Sequence, residues 1–151
     1  MPKSSAPLDP LALDNQLCFA LYSASLAMTK AYKPLLEKLG LTYPQYLVML
    51  VLWEQDDVLV KAIGERLFLD SGTLTPLLKR LEAASLVARS RDAEDERQVR
   101  ITLTREGRAL KKKAQDVPLS ILCATGQAPE AIAELRRRLA AIRNDLNAIL
   151  P

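Results

Sequence analysis

A mainly α-helical fold with one small β-hairpin follows from three features of this 151-residue chain. Apolar residues recur at spacings of three and four near both ends, the period of a helix face. Residues 86–104 switch to short, alternating β-branched runs on either side of a charged tip. Hydrophobic residues are 49% of the chain and charged residues 26%, a globular balance in a length that buries a core without disulfides.

The elements follow in order. From Leu13 to Leu39, apolar residues fall at Leu13, Leu17, Leu21, Ala24, Met28, Ala31, Leu35 and Leu39, which predicts one long amphipathic helix. Pro34 should kink it or open a new segment, and Gly40 should stop it. A second helix runs from about Pro44 to Glu54, with Pro44 suited to a first turn. Its Tyr46, Leu47, Met49, Leu50 and Trp53 make a wide apolar face. A short helix follows, roughly Val60 to Leu69, with Ile63 and Leu67 inward. The next helix spans residues 71–85, with Leu74, Leu77, Leu78 and Leu81 as its buried stripe. Its start is open between Thr75 as N-cap of a first turn carrying Pro76, and Ser71 at the cost of one hydrogen bond at Pro76. LVARSR and VRITLT then form the hairpin around DAEDERQ. Arg105 to about Asp116 returns to helix. Residues 117–129 are apolar but interrupted by Pro118, Gly126 and Pro129. The last helix, Glu130 to Leu150, places Ile132, Leu135, Leu139, Ile142, Leu146 and Ile149 on an a/d seam.

Composition excludes whole classes of chemistry. The chain has no histidine, so it has no Ser-His-Asp or Cys-His nucleophile, no His-based acid–base pair and no HExxH zinc site. Cys18 and Cys123 are too far apart in sequence for a CxxC motif. Any chemistry must be carried by cysteine, carboxylate, tyrosine or lysine, and no cofactor is expected. The charged hairpin, read as a wing, and a basic centre argue against a thiol peroxidase, so the chain is not read as an enzyme. Residues 1–12 lack the apolar run of a signal peptide, and no stretch has the length of a membrane span, so a cytoplasmic location is expected.

Charge is unevenly placed. Residues 61–113 hold thirteen Lys and Arg against eight Asp and Glu, whereas the rest of the chain holds eight against ten. A basic centre of this kind suits a nucleic-acid surface. Two helices joined by a short turn and followed by a charged hairpin is the order of a winged helix-turn-helix. The second helix presents Ser71, Thr73, Thr75, Lys79 and Arg80, small hydroxyls that approach base edges and cations that reach phosphates or guanine. Lys61, Gly72, Pro76 and Asp95 complete the DNA-facing candidates. Arg97 is the forward cation of the wing, placed to reach a minor groove. A small α+β domain with a merely solvated hairpin is the competing reading.

The long first helix and the C-terminal seam carry more apolar surface than a DNA-reading core uses. They suit a two-fold homodimer that sets two recognition helices about one DNA turn apart. Folding back onto their own core is the alternative. Tyr22 shares the helical face of Cys18. Tyr32 lies fourteen residues on, roughly 21 Å up one straight helix, beyond contact within a chain. A partner's Tyr32, with Tyr43 from the next turn, could reach the thiol in an antiparallel dimer and favour its thiolate. A core cysteine beside core tyrosines has the same residues.

LTYPQYLVMLVLWEQDDVLVKAIGERLFLDSGTLTPLLKRLEAASLVARSRDAEDERQVRITLTREG, residues 41–107, resembles the MarR family of winged-helix regulators. LFLDSGTLTPLLKRLE and DERQVRITLT are similar to its organic hydroperoxide resistance subfamily, and NQLCFALYSASLAMTKAYKPLL with LTYPQY resembles that subfamily's sensor portion. The likeness covers about residues 13–128. It implies a repressor of double-stranded operator DNA whose reactive cysteine, here Cys18, is oxidised by organic hydroperoxides. It implies that Tyr32 and Tyr43 of the facing subunit bond the thiol, with Tyr22 nearby. It further implies that Cys123, in a loop before the last helix, resolves the Cys18 sulfenic acid as an intersubunit disulfide. Leu17, Phe19, Met28 and the tyrosines would line an apolar pocket around Cys18. The expected organisation is a sensor and dimerisation helix at 1–40, a DNA-binding unit at 41–107 and dimerisation helices at 108–151. The alternative within the family is a repressor released by a bound phenolic or aromatic carboxylate, its cysteines passive.

Overall fold

The structure is a computed structural model that describes residues 8–151. A short 3-10 turn, Leu13–Asn15, precedes α1, Leu17–Glu37. The first helix therefore begins four residues later than its apolar spacing suggests. Pro34 lies inside α1 and opens no new segment. Gly40 is the stop: at φ +69° it takes the left-handed conformation that glycine adopts without strain, and Leu41 N–H closes back onto the Leu36 carbonyl at 3.1 Å.

Helix α2, Tyr43–Glu54, starts on a capping box in which the Thr42 hydroxyl accepts from Gln45 N–H and the Gln45 side chain accepts from Thr42 N–H. It is buried nearly all round, through Tyr46, Val48, Met49, Val51 and Leu52, a wider burial than one apolar face. Leu50 stays exposed. A two-residue strand, β1 (Val58–Leu59), then leads into α3, Val60–Leu67. Helix α4, Ser71–Ala83, buries Leu74, Leu77, Leu78 and Leu81 as its spacing predicts.

Strands β2 (Val87–Arg91) and β3 (Val99–Leu103) form the expected hairpin. The sheet has a third member: β1 pairs antiparallel with β3, in order β1-β3-β2. Helix α5, Arg105–Ala114, follows the wing. Gly107 is required there because a Cβ would lie 2.1 Å from the Leu86 carbonyl oxygen. The Gly107 carbonyl accepts from Trp53 Nε1 at 2.9 Å, tying α5 to α2.

Residues 117–125 form a further helix, α6 (Val117–Thr125), so Cys123 sits on a helix and not in a loop. Pro118 occupies its first turn and Gly126, at φ +66°, ends it; Pro129 opens α7, Pro129–Ile149. Helix α6 packs against α1. The core runs from Leu36 and Leu39 through α2, α3 and α4 to Ile101, Val117 and Ile121. Helix α7 buries no residue, and α1 buries only Leu36. Leu17, Phe19, Leu21, Leu26 and Met28 on α1, and Leu135, Ile142, Leu146 and Ile149 on α7, present apolar side chains to solvent. Among the described residues no helix is long and apolar enough to cross a membrane.

Candidate nucleic-acid interface and thiol site

The reading surface is built from three separate stretches of chain. Asp70 caps α4, its carboxylate accepting from Thr73 N–H at 2.7 Å. Asp70 therefore takes the cap in place of either alternative, Ser71 or Thr75. Ser71 becomes the first helical residue, and the Thr75 hydroxyl turns inward to donate to the Ser71 carbonyl at 2.7 Å. The Thr73 N–H is the main cause that holds the Asp70 carboxyl below the usual carboxylate range. Pro76 sits in the second turn of α4 and has no N–H, so the i−4 hydrogen bond to the Gly72 carbonyl is missing. Ser71, Gly72, Thr73, Pro76, Lys79 and Arg80 are all exposed on one helix whose opposite stripe is core.

The wing tip is held by its own side chains. Arg97 donates from Nε to Asp95 Oδ1 at 3.0 Å, and this bond is the first reason that the Asp95 carboxyl lies low. Even so, the Arg97 side chain is 91% exposed and projects from the tip. Arg100 donates from Nε to Asp92 Oδ1 at 2.7 Å and from Nη1 to the Asp57 carbonyl at 3.1 Å, fastening the base of the wing to the turn after α2. Lys61, Thr75 and Arg97, from α3, α4 and the wing, meet along one cleft of about 300 Å³. Arg89 lines the same cleft; the sequence marks it only by its place on an alternating strand that follows α4.

The thiol site is divided. Cys18, near the start of α1, and Cys123, on α6, are both free and exposed. Leu17, Phe19, Tyr22 and Met28 around Cys18 are exposed as well, so one protomer does not close the expected apolar pocket. Tyr32 and Tyr43 come together at the other end of α1, ring centroids 4.9 Å apart, with Tyr46 at 5.9 Å from Tyr32 and Trp53 beyond it. Tyr46, read from sequence only as an apolar-face residue, is thus a member of the cluster. Burial, then the neighbouring phenols Tyr43 and Tyr46, push the Tyr32 hydroxyl up to about 12; burial also raises Tyr43 and Tyr46. All three stay protonated near neutral pH, and a protonated phenol can donate a hydrogen bond.

A second groove, of about 560 Å³, has Tyr46, Leu50, Trp53, Glu54, Arg66 and Lys111 in its lining, with Arg66 paired to Glu54 at 2.7 Å. Cys18 lines neither this groove nor the α4–wing cleft. Among the described residues no group of three His, Cys, Asp or Glu could hold a metal ion.

A helix pair with an exposed, hydroxyl-rich second helix and an arginine-tipped wing defines a winged-helix DNA-binding protein. The family model of SarA/Rot transcriptional regulators matches residues 30–114. The organic hydroperoxide resistance transcriptional regulator of Bacillus subtilis is 54% identical over 131 residues, which is 87% of this chain and 89% of that protein. The structure of reduced AbfR bound to DNA, AbfR being a Staphylococcus epidermidis protein, is 37% identical with a TM-score of 0.75, over 91% of this chain and 94% of that one. The disulfide-formed structure of AbfR is 40% identical with a TM-score of 0.61, over 86% and 91%. The chain belongs to the MarR family of transcriptional regulators, in its organic hydroperoxide resistance branch.

Proposed function

We propose that this chain is a peroxide-sensing repressor that works as a two-fold homodimer. The observation that carries the reading is the division of the thiol site. The protomer leaves Cys18 exposed among apolar side chains, and gathers three protonated phenols about four helical turns away. An antiparallel partner joins the two halves: its Tyr32 and Tyr43 donate to the Cys18 sulfur, and its α1 and α7 cover the exposed seams. Desolvating those seams stabilises the dimer and closes an apolar pocket suited to alkyl or aryl hydroperoxides.

The chemistry balances as a two-electron oxidation. The Cys18 thiolate attacks the terminal peroxide oxygen and the O–O bond breaks. The alkoxide leaves, takes a proton and becomes an alcohol, while Cys18 becomes a sulfenic acid. The Cys123 thiol of the other subunit attacks that sulfur, water leaves, and a disulfide forms. Cα atoms of the pair must approach within about 7 Å. Because Cys123 rides on α6, which packs against α1, forming that bond moves helices and not a slack loop. The recognition helices then lose their register on the two half-sites.

On DNA, Ser71, Gly72, Thr73, Thr75, Pro76, Lys79 and Arg80 face the major groove, Arg97 held by Asp95 enters the minor groove, and Lys61 meets phosphate. Gel shifts of wild type and Cys18→Ser with cumene hydroperoxide test the reading. Release of wild type alone is expected, and equal release of both overturns it.

The 560 Å³ groove favours one second reading. Its apolar lining and Lys111 suit an aromatic carboxylate, with Arg66 already paired to Glu54, and such a ligand would release DNA with the cysteines passive. That ligand would act equally on wild type and Cys18→Ser.

A further inference from the structure

Resting on the operator-binding reading, we infer that the cleft between α4 and the wing seats the sugar–phosphate strand, and that Arg89 is the phosphate-binding residue at its centre. A helix in a major groove and a wing tip in the adjacent minor groove lie on opposite sides of one backbone strand. That strand must pass between them, and the cleft is the gap between them. Lys61, Arg89 and Arg97 line it, with Thr75 on the α4 side, and no acidic side chain lines it. Three cations facing a passage for one negatively charged strand is the complement phosphate requires.

The strand pattern places Arg89 there. Val87 is buried on the core face of β2, and Arg89, two residues on, points to the same side. Its cross-strand partner, Ile101, is fully buried on that face. The guanidinium therefore lies over α4, beside Glu82. Its Nε donates to Glu82 Oε1 at 3.2 Å, and the side chain is 32% exposed. Glu82 thus holds the guanidinium by one edge and leaves its terminal Nη groups to face a phosphate, a bidentate geometry that lysine cannot reproduce.

The test measures affinity by fluorescence anisotropy over a salt series from about 50 to 200 mM. The probes are a duplex that the wild-type chain selects from a random-sequence pool and a scrambled duplex of the same composition. Arg89→Ala should weaken binding to both duplexes by about tenfold and lower the salt slope by about 1. Arg89→Lys should keep the slope and recover only part of the affinity. Glu82→Gln, which removes a competing carboxylate, should bind at least as tightly as wild type. Thermal unfolding of each variant reports its fold. The proposal is overturned if Arg89→Ala binds both duplexes like wild type with an unchanged slope. A loss confined to the selected duplex overturns it in favour of a base contact. A fall in Glu82→Gln that parallels Arg89→Ala overturns it in favour of a purely structural ion pair. Absence of any wild-type complex would instead overturn the operator-binding reading beneath it.

Discussion

Replacing Tyr32 and Tyr43 together with phenylalanine removes two hydroxyls and keeps both rings, and its effect should be repaired from the other subunit. Helix α1 is continuous from Leu17 to Glu37, so Cys18 and Tyr32 are separated by about 21 Å along one axis at 1.5 Å per residue. Tyr43 lies beside Tyr32, with ring centroids 4.9 Å apart, so it shares that separation. If Tyr32 or Tyr43 bonds Cys18, it must therefore do so from the partner. A hydrogen bond to a charged acceptor contributes about 1.5–3 kcal/mol, and the lower figure is already about tenfold in a rate. Two donors in one cluster do not add fully, so the double variant should oxidise about 10- to 100-fold more slowly. Loss of free thiol after mixing with cumene hydroperoxide measures the rate. The decisive arm co-refolds the double variant with Cys18→Ser. In the mixed dimer the only Cys18 belongs to the phenylalanine chain and faces the intact tyrosines of the serine chain. A fast phase near the wild-type rate is expected, and uniformly slow oxidation of the mixture would refute the reasoning.

Three other perturbations address separate parts of the molecule. The Asp70 carboxyl is held low in the folded chain, so the unfolded chain binds more protons in acid; its cap is present at neutral pH and is lost as pH falls below about 4. Asp70→Ala should unfold more readily than wild type at neutral pH and converge with it in acid, whereas Asp70→Asn should retain the cap, as thermal scans across pH will show. Leu74 is fully buried where α4 meets the core, so Leu74→Ala should lose about 2–5 kcal/mol in urea unfolding; a loss below about 1 kcal/mol would contradict the packing. Arg97→Ala should weaken DNA binding and lower its salt slope by about 1 while leaving the rate of Cys18 oxidation unchanged. A changed oxidation rate would mean that the wing and the sensor are coupled in the reduced state.

Long, strongly periodic elements were legible from residues alone. The Leu74, Leu77, Leu78 and Leu81 stripe and the β2–β3 hairpin lie where their spacing places them. The exposed seams of α1 and α7 also match apolar positions that the sequence marks without saying what covers them. What escaped was short or ambiguous. Strand β1 has two residues, too few to show any period, and exists only because β3 offers it an edge. Pro118, Gly126 and Pro129 read as breaks in an apolar run, but they are the start of α6, its left-handed end and the start of α7. Asp70 is hard to single out as the cap because Ser71 follows it directly and Thr75 stands five residues on, both good cap residues. Tyr46 and Arg89 needed tertiary structure, since each acquires its neighbours from a different element. Cys18 itself was visible as a residue, but what surrounds it in a dimer was not, because a single chain leaves that face bare.

The central claim is an intersubunit switch between Cys18 and Cys123, and an isotope-mixing disulfide map tests it most directly. Nitrogen-15-labelled and unlabelled chains are co-refolded, oxidised with cumene hydroperoxide, digested without reductant and analysed by mass spectrometry. The account predicts Cys18–Cys123 linked peptides that include mixed-isotope pairs, and a covalent dimer on non-reducing gels. Linked peptides in which both halves always carry the same label, or a Cys123 that stays reduced while DNA is released, would contradict it.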